Sequence, residues 1–464
     1  MKMNTRSVPL RYSPLFATAL CLSLADCSSG SSNPLAALQA AQAKNAGNFS
    51  NTVFLGDSLT AGFQSGSLLD TLQIHGWAPL VATQANFNII QPLIAYPGAP
   101  NVLQLVSVGP PPVITAVCPP SGVASVCETT TGRDNFATQV TDLAVPGAVL
   151  NDVMNTVPLV SPVPGSQDQL NQLVLGFPGL GYGLANSQLG WAIKAQPTTI
   201  FLWIGNNDAL VADETGMPSS MTSVANFTTQ YQALITQLTT MTPSHLVIGN
   251  IPDVTKVPYL QPAALILGEY SAATGIPTSV LSGLLGIVPG DYVNPTGLAE
   301  IPLILGGAQQ GPITDSGVLS AAEVVTVQAQ VVAFNQVIAA QAKAANATLV
   351  DINALFNQVT QSGLTINGYT GTASFLGGFF ALDGIHPTNT GYAVVANTFI
   401  DTMNTAFGSK IPDVALGPVA AADPYWPPNL AHTVSGQAMI MPANAGKAVD
   451  DLFLGKNKIN SPNQ

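Results

Sequence analysis

The sequence predicts an α/β protein with a doubly wound, mostly parallel sheet of five strands between helices. Two observations lead to this expectation. Short apolar segments, each followed by turn residues, recur along the chain and are typical of strands covered on both faces. Helical patterns lie between and after them. The five strand segments are Thr52–Leu55, Val140–Val145, Thr199–Ile204, His245–Ile248 and Thr348–Ile352.

The composition supports a folded core and argues against one class of partner. Of the 464 residues, 47% are hydrophobic, and the mean hydropathy of +0.34 is too high for a disordered chain. Charged residues make up only 8%, with 24 acidic against 12 basic side chains. The net charge of −12 leaves no basic surface for a phosphate backbone, so nucleic acid is not an expected partner.

The clearest helix is predicted from Ala321 to Ala345, where apolar side chains recur at spacings of three and four. Ser320 and Glu323 form a capping-box pattern at its start. A second helix is predicted from about Thr390 to Phe407. Strands that alternate with helices of this kind favour an open parallel sheet.

Two long insertions interrupt a main domain that is predicted to span residues 51–408. They cover about residues 64–138 and 254–318. The second is apolar but broken by Gly and Pro. It is predicted either to pack over the edge of the sheet or to form an apolar wall or lid beside a binding cleft. Residues 409–464 are rich in Pro and Asn and are expected to be a linker or a wrapping extension without its own core.

The N-terminal residues 1–26 have the pattern of a signal peptide. A basic start is followed by the apolar stretch Leu15–Ala25, which is too short to span a bilayer. Export is therefore predicted, either to the cell envelope or into the medium. The basic residues are Lys2, Arg6 and Arg11.

The residues from Leu24 to Cys27 resemble the lipobox of bacterial lipoproteins, and residues 27–50 resemble the flexible tether that follows it. Cys27 is therefore a candidate for lipidation and membrane anchoring. Asp26 departs from the lipobox pattern, in which the residue before the Cys is small and uncharged. Ordinary cleavage nearby, with release of the free protein, stays open as the alternative.

Cys118 and Cys127 lie close together in a stretch rich in Pro, Ser and Gly. In an oxidising compartment such a pair favours a disulfide that closes a small loop. A zinc site is disfavoured because no further Cys or His lies close enough to complete four ligands. Two unpaired thiols are the remaining alternative.

Polar and Gly-containing motifs follow three of the predicted strands, and a fourth motif precedes the last helix. The carboxyl ends of parallel strands meet at one edge of a sheet, so the first three motifs are expected to lie close together. Each motif alone is common turn chemistry, but together they predict an active site. The motifs are Gly56-Asp57-Ser58-Leu59, Pro146-Gly147, Gly205-Asn206-Asn207-Asp208 and Asp383-Gly384-Ile385-His386-Pro387.

These motifs, in this order, resemble those of the SGNH/GDSL hydrolase family of esterases and lipases over about residues 51–408. The resemblance implies a flavodoxin-like parallel sheet of about five strands and serine esterase or lipase chemistry. It also implies an oxyanion hole, made by the backbone N–H groups of Ser58 and Gly147 and by the side-chain amide of Asn207.

The motifs also contain the parts of a catalytic triad. A serine hydroxyl needs a base within hydrogen-bond reach. His386 can accept the Ser58 proton, so the loop that carries His386 is predicted to contact the Ser58 hydroxyl. A spacing of three residues lets Asp383 reach the other ring nitrogen of His386 and fix its tautomer. No cluster of His, Asp and Glu has metal-ligand spacing and no phosphate-binding loop occurs, so no metal or other cofactor is expected.

The sequence thus predicts an exported serine esterase that forms an acyl-enzyme on Ser58. The apolar insertion at 254–318 favours acyl-chain or lipid esters. A carbohydrate O-acetyl esterase is the alternative within the same chemistry, and the presence of only four Trp for sugar stacking counts mildly against it. A surface lipoprotein that binds without catalysis is the alternative from another class.

Overall fold

The computed structural model describes residues 47–109, 111–117, 132–135, 138–176, 186–430 and 439–453. The predicted signal peptide, Cys27, and the pair Cys118 and Cys127 lie outside the described residues. The strands are β1 (Thr52–Gly56), β2 (Leu103–Ser107), β3 (Val113–Ala116), β4 (Thr199–Trp203), β5 (His245–Gly249), β6 (Gln261–Pro262), β7 (Tyr292–Val293), β8 (Val318–Leu319), β9 (Thr348–Val350), β10 (Leu364–Ile366) and β11 (Tyr369–Gly371).

Helices follow most of the strands. The α-helices are α1 (Ser58–Ala61), α2 (Asp70–Gln73), α3 (Trp77–Gln84), α4 (Leu150–Asn155), α5 (Gln167–Leu175), α6 (Gln188–Ala195), α7 (Asn206–Thr215), α8 (Val224–Met241), α9 (Ala263–Thr274), α10 (Thr278–Leu285), α11 (Pro295–Leu305), α12 (Ala321–Ala344), α13 (Ile352–Ser362), α14 (Asn389–Phe407), α15 (Leu416–Ala422) and α16 (Ala443–Phe453). Short 3₁₀ helices are Pro218–Ser220, Val254–Lys256, Asp315–Gly317 and Pro427–Asn429.

The central sheet has the strand order β1-β4-β5-β9, and each of these pairings is parallel. Every residue of β1, β4 and β5 is buried. This is expected for parallel strands that are covered on both faces. The predicted α/β class, with a parallel sheet between helices, is confirmed.

The predicted strand at Val140–Val145 is wrong, because in the described residues the central sheet has four strands and this segment only adjoins its edge. Backbone groups of the segment bond to Phe54 and Gly56 of β1 at 2.9–3.1 Å. The pairing is limited to one bridge, between Phe54 and Asp142. The next ladder bond is missing because the N–H of Gly56 donates to the side chain of Gln188 at 2.9 Å and not to this segment.

Asp142 makes the stability of the protein depend on pH. Its side chain is fully buried, and burial raises the pKa of this carboxyl to about 8. In the unfolded chain the carboxyl ionises near 3.8, so between these values the folded state binds more protons and stability falls as the pH rises. Asp142→Asn should therefore reduce the loss of unfolding free energy between pH 5 and pH 8 by on the order of 3 kcal/mol.

Urea unfolding of the wild type and of Asp142→Asn at both pH values measures this difference. Asp134→Asn changes an exposed carboxylate and serves as the matched control, with the same pH dependence as the wild type. An unchanged pH dependence in Asp142→Asn would show that the buried carboxyl does not retain its proton.

Alternate strand residues point into two apolar clusters on opposite faces of the sheet. On one face, Phe54, Phe201 and Trp203 pack with α3 and α14, and the rings of Phe54 and Phe201 stack at 4.7 Å. On the other face, Val53 and Leu202 pack with α6, α8 and α12. Cover on both faces explains why the strands are nearly continuous apolar runs in the sequence.

Both helices that the sequence predicts are confirmed, as α12 and α14. The predicted capping box starts α12: Ser320 Oγ accepts the N–H of Glu323 at 3.4 Å, and Glu323 Oε2 accepts the N–H of Ser320 at 2.9 Å. Thr388 caps α14 by accepting the N–H of Gly391 at 3.1 Å. This cap holds residues 383–387 at the N-terminal end of α14.

The insertions and the C-terminal residues have elements of their own. Residues 64–138 include the hairpin β2–β3, and residues 254–318 include α9, α10, α11 and the small sheet β6-β7-β8 around a separate apolar cluster. In the C-terminal part, α15 packs on α14, and α16 packs on α11 and β3. Within the described ranges, no helix has the length and apolar character needed to cross a membrane.

Candidate active site

The turn after β1 carries Ser58 at the carboxyl edge of the sheet. Asp57 caps α1, and its carboxylate accepts the N–H of Leu59 at 3.0 Å and the side-chain amide of Asn206 at 2.8 Å. Burial raises the pKa of Asp57 to about 6, although these two hydrogen bonds lower it. Ser58 is the first residue of α1 and is only 4% exposed. Asp57 therefore holds the turn of Ser58 and ties it to the turn after β4.

His386 and Asp383 form a fully buried pair. His386 Nδ1 lies 3.1 Å from Asp383 Oδ2, the contact that the sequence spacing predicts. Asp383 also accepts the backbone N–H groups of Gly66 at 2.7 Å, Ile385 at 3.0 Å and His386 at 2.9 Å. Burial by itself raises the pKa of Asp383, but the charge of His386 and the hydrogen bonds outweigh it, so the pKa lies below its ordinary value. Asp383 is thus an ionised group that orients the imidazole.

The predicted hydrogen bond between His386 and the Ser58 hydroxyl is not formed in this structure. His386 Nε2 is buried and bonds to no described residue. The imidazole packs on Phe63, with ring centroids 4.7 Å apart, and Phe63 N–H donates to Ser58 O at 3.0 Å. The ring of Phe453 lies 6.3 Å away. Asp383 and the two aromatic rings hold the imidazole in place. A hydrogen bond between a catalytic base and its nucleophile often forms fully only when substrate binds.

The three predicted oxyanion donors lie on neighbouring segments. Gly147 follows the segment that adjoins β1, at a φ of +76°, which favours glycine. Asn207 is the second residue of α7, and its amide donates one hydrogen bond to Ala148 O at 2.9 Å, so its second N–H can serve a ligand. In the described part of the chain, the N–H groups of Ser58 and Gly147 donate to no backbone acceptor. Each of the three groups therefore keeps an N–H that no backbone acceptor among the described residues takes.

A buried carboxylate holds the loop of Gly147 in place. Asp208 accepts the N–H of Leu150 at 2.8 Å and the hydroxyl of Thr222 at 2.7 Å. Burial raises the pKa of Asp208 to about 6, against the lowering effect of these bonds. Asp208 thus ties the segment of Leu150, which follows Gly147, to Thr222. Across the described ranges, no group of three or more His, Cys, Asp and Glu side chains is arranged to hold a metal ion.

The sequence model of one protein family extends across this whole site. It is described as GDSL-like Lipase/Acylhydrolase and matches residues 52–399, which is 348 of the 464 residues. The chain belongs to this family. The resemblance drawn from the four motifs is therefore confirmed, and this GDSL hydrolase is a serine hydrolase that acts on ester bonds.

Two solved structures are similar to this GDSL hydrolase at low sequence identity. An α/β hydrolase enzyme from the metagenome of Lake Arreo, Spain, is 14% identical with a TM-score of 0.34, and the match covers 79% of this chain and 100% of that chain. An acetylxylan esterase from Geobacillus stearothermophilus is 12% identical with a TM-score of 0.34, and the match covers 79% and 97%. No curated protein matches the sequence.

Sequence reasoning missed several residues that support the site of this GDSL hydrolase. The side chain of Gln188 on α6 bonds to both the N–H and the carbonyl of Gly56, each at 2.9 Å. Gly66 donates to Asp383, and the rings of Phe63 and Phe453 pack on His386. Only Gly66 and Phe63 carried a signal, since both closely follow the GDSL motif. Gln188 and Phe453 lie far from every motif.

An apolar cavity of about 100 Å³ lies beside the site. Leu59, Asn206 and Ile385 line it, and each is the chain neighbour of a predicted site residue. A larger cavity of about 590 Å³ lies where β5 and β9 begin, at the opposite edge of the sheet, so it belongs to no predicted site. The apolar cavity is also lined by Leu210, Val254, Val257, Leu355, Phe356, Val359, Phe379, Phe380 and Val394.

Proposed function

We propose that this GDSL hydrolase is an exported esterase that cleaves acyl-chain or lipid esters through an acyl-enzyme on Ser58. His386 acts as the general base, and Asp383 orients it. The substrate class rests on one observation, the apolar cavity that Leu59 and Ile385 help to line. A cavity with this lining favours a hydrocarbon chain over a sugar, because sugar hydroxyls would leave water without new hydrogen-bond partners.

The first half of the reaction forms the acyl-enzyme. Ser58 Oγ attacks the ester carbon while its proton passes to His386 Nε2. The carbonyl oxygen becomes an oxyanion, which the N–H groups of Ser58 and Gly147 and the amide of Asn207 stabilise. The ester C–O bond then breaks, and the proton on His386 leaves with the alcohol. Asp383 stabilises the imidazolium between these two transfers.

The second half of the reaction restores the free enzyme. Water replaces the alcohol beside the acyl-enzyme, and His386 takes one of its protons as the oxygen attacks the acyl carbon. The same donors stabilise the second oxyanion. When this intermediate collapses, the bond to Ser58 Oγ breaks, the carboxylic acid is released and the proton returns from His386 to Ser58. The cycle needs water as its only co-reactant.

A series of p-nitrophenyl esters from acetyl to long acyl chains tests the substrate class. We expect kcat/KM to rise with chain length, since each methylene that enters the apolar cavity contributes about 0.8 kcal/mol. The variant Val359→Phe places a larger side chain on the wall of the cavity that α13 forms, so the cavity becomes narrower. It should lower kcat/KM for long acyl chains only. Activity on the acetyl ester in the same variant is the internal control for folding.

Two results would contradict the proposed substrate class. A strict preference for the acetyl ester would favour a carbohydrate O-acetyl esterase. A chain-length profile unchanged in a folded Val359→Phe variant would show that the acyl chain lies elsewhere. Absence of labelling by a fluorophosphonate probe would contradict the role of Ser58 and would favour a binding protein without catalysis.

The export of the protein is supported by the basic and apolar pattern of residues 1–26. Mass spectrometry of the mature N-terminus separates the two forms of export. A diacylglycerol-modified Cys27 as the first residue would establish a lipid anchor. An unmodified N-terminus near residue 27 would establish release as a free protein.

A further inference from the structure

The C-terminal residues 439–453, which we name the C-terminal cap, cover the candidate active site. Helix α16 of the cap packs on α11 of the second insertion and on β3 of the first. Asn444 Nδ2 donates to Ile114 O at 2.7 Å, a contact between residues 330 positions apart. Gly446 lets α16 approach Pro295 closely, since a Cβ at this position would lie 2.1 Å from the proline ring. The cap thus bridges the two insertions above the carboxyl edge of the sheet.

The side chain of Phe453 lies inside the site. Its ring centroid is 6.3 Å from that of His386 and 6.0 Å from that of Phe63. Its Cδ1 atom lies 2.6 Å from the position that a Cβ on Gly147 would take. The ring therefore stands against both the general base and an oxyanion donor of the proposed reaction.

This position conflicts with a bound ester. The carbonyl carbon under attack has to lie within roughly 3–3.5 Å of Ser58 Oγ, with its oxygen about 3 Å from the oxyanion donors. The ring of Phe453 contacts the space around Gly147, and the reacting groups have almost no contact with solvent: Ser58 is 4% exposed and His386 is 0% exposed. The ring therefore leaves little room beside Gly147 for the oxygen of a bound ester.

One residue joins the cap to the turn of His386. The hydroxyl of Tyr259 donates to the carboxylate of Asp450 on α16, while its backbone N–H donates to Gly384 O at 2.9 Å. Burial raises the pKa of Tyr259 well above its ordinary value, so the hydroxyl keeps the proton that it donates. Tyr259 therefore acts as a latch between the cap and the residues that carry the imidazole.

The inner face of the cap is apolar. Met441, Val449, Leu452 and Phe453 are all buried. Movement of the cap would expose this apolar surface to water, which is unfavourable in proportion to the exposed area. A substrate with hydrocarbon groups that cover the exposed surface would offset this cost, whereas a small polar ester would not.

We infer that Phe453 is a specificity-determining residue that occupies the ester-binding space at the oxyanion hole, and that the C-terminal cap must open before a substrate reaches Ser58. This inference rests on the proposed role of Ser58. The cap lowers the fraction of molecules that are competent to react, and the apparent rate falls in proportion to that fraction. Removing the ring should raise the rate most for esters too small to displace it.

The test compares second-order rate constants for labelling of Ser58 by a small fluorophosphonate, together with kcat/KM for p-nitrophenyl acetate. Phe453→Ala should raise both by about tenfold or more. Tyr259→Phe leaves the ring of Phe453 in place but removes the hydrogen bond from Tyr259 to Asp450, and should raise both rate constants by a smaller factor. Phe407→Ala is the matched control, because Phe407 packs against His245 at the opposite edge of the sheet and should leave both rates unchanged.

Each outcome separates the inference from the proposed function. If folded Phe453→Ala and Tyr259→Phe label at the wild-type rate or more slowly, the inference is wrong while the role of Ser58 stands. If no variant labels, the role of Ser58 fails instead. If Phe453→Ala does not fold, Phe453→Leu and Tyr259→Phe decide the matter, since both retain an apolar side chain at the altered position.

Discussion

Ser58→Ala is expected to lower kcat for p-nitrophenyl esters by roughly 10⁴–10⁶-fold and to abolish labelling by fluorophosphonates. The variant removes the oxygen on which the acyl-enzyme is proposed to form, while the proposed oxyanion donors of Gly147 and Asn207 remain. Stability should change by less than about 1 kcal/mol, because a small side chain in a turn is being shortened. Active-site titration and urea unfolding of the same preparation measure both effects.

A second serine gives the opposite pattern and serves as the control for Ser58→Ala. Ser223 caps α8, and its Oγ accepts the N–H of Asn226 at 3.2 Å. Ser223→Ala should cost about 1 kcal/mol of stability and leave kcat unchanged. Full activity in Ser58→Ala would remove the nucleophile from the proposed mechanism, whatever the stability of the variant.

Asp383→Asn is expected to lower kcat by about 10⁴-fold. Asp383 Oδ1 accepts the N–H groups of Ile385 and His386, so the oxygen of an Asn would remain there. Its NH₂ group would then face His386 Nδ1 and the N–H of Gly66, where Oδ2 accepts both bonds in the wild type. An NH₂ group donates to Nδ1 and places the ring proton on Nε2, where it blocks proton transfer from Ser58.

The same substitution should reduce stability by about 1–3 kcal/mol, because the buried N–H of Gly66 loses its acceptor. It should also change the acid limb of the stability profile. The pKa of Asp383 lies below 3.8 in the folded state, so its contribution is complete above pH 3.8 and is lost as the pH falls through the folded value. Asp383→Asn lacks this dependence.

Kinetics and acid unfolding together test the role of Asp383. Asp315→Asn, at an exposed position of the second insertion, is the matched control and should behave as the wild type in both measurements. A loss of less than tenfold in kcat for Asp383→Asn would show that another group orients the imidazole of His386.

Local sequence patterns predicted the parts of the fold that local chemistry determines. The apolar segments at β1, β4 and β5 were recognisable because both of their faces are buried, and β9 shares the pattern with only Leu349 half-buried. The start of α12 was recognisable because Ser320 and Glu323 cap it through bonds within one turn. The segment at Val140–Val145 has the same apolar composition, but the N–H of Gly56 on β1 bonds to the side chain of Gln188 and not to this segment, and composition does not show this.

The candidate site was predictable only where its residues belong to a motif. The contact of His386 with Asp383 follows from their spacing along the chain. The bond from Gly66 to Asp383 and the position of Phe453 depend on how distant segments pack, and no periodicity or composition encodes such an approach. The same holds for His386 Nε2, which bonds to no described residue although the sequence predicts its contact with Ser58.

The bond between Gly66 and Asp383 joins residues 317 positions apart. During refolding from urea, helices and individual strands can re-form before this bond closes, because closing so long a loop is slow. Recovery of ester hydrolysis is therefore a stricter measure of correct refolding than recovery of the far-ultraviolet circular dichroism signal. For preparations recovered from inclusion bodies, titration of the active sites measures the fraction of chains in which the segments of Gly66 and Asp383 have come together.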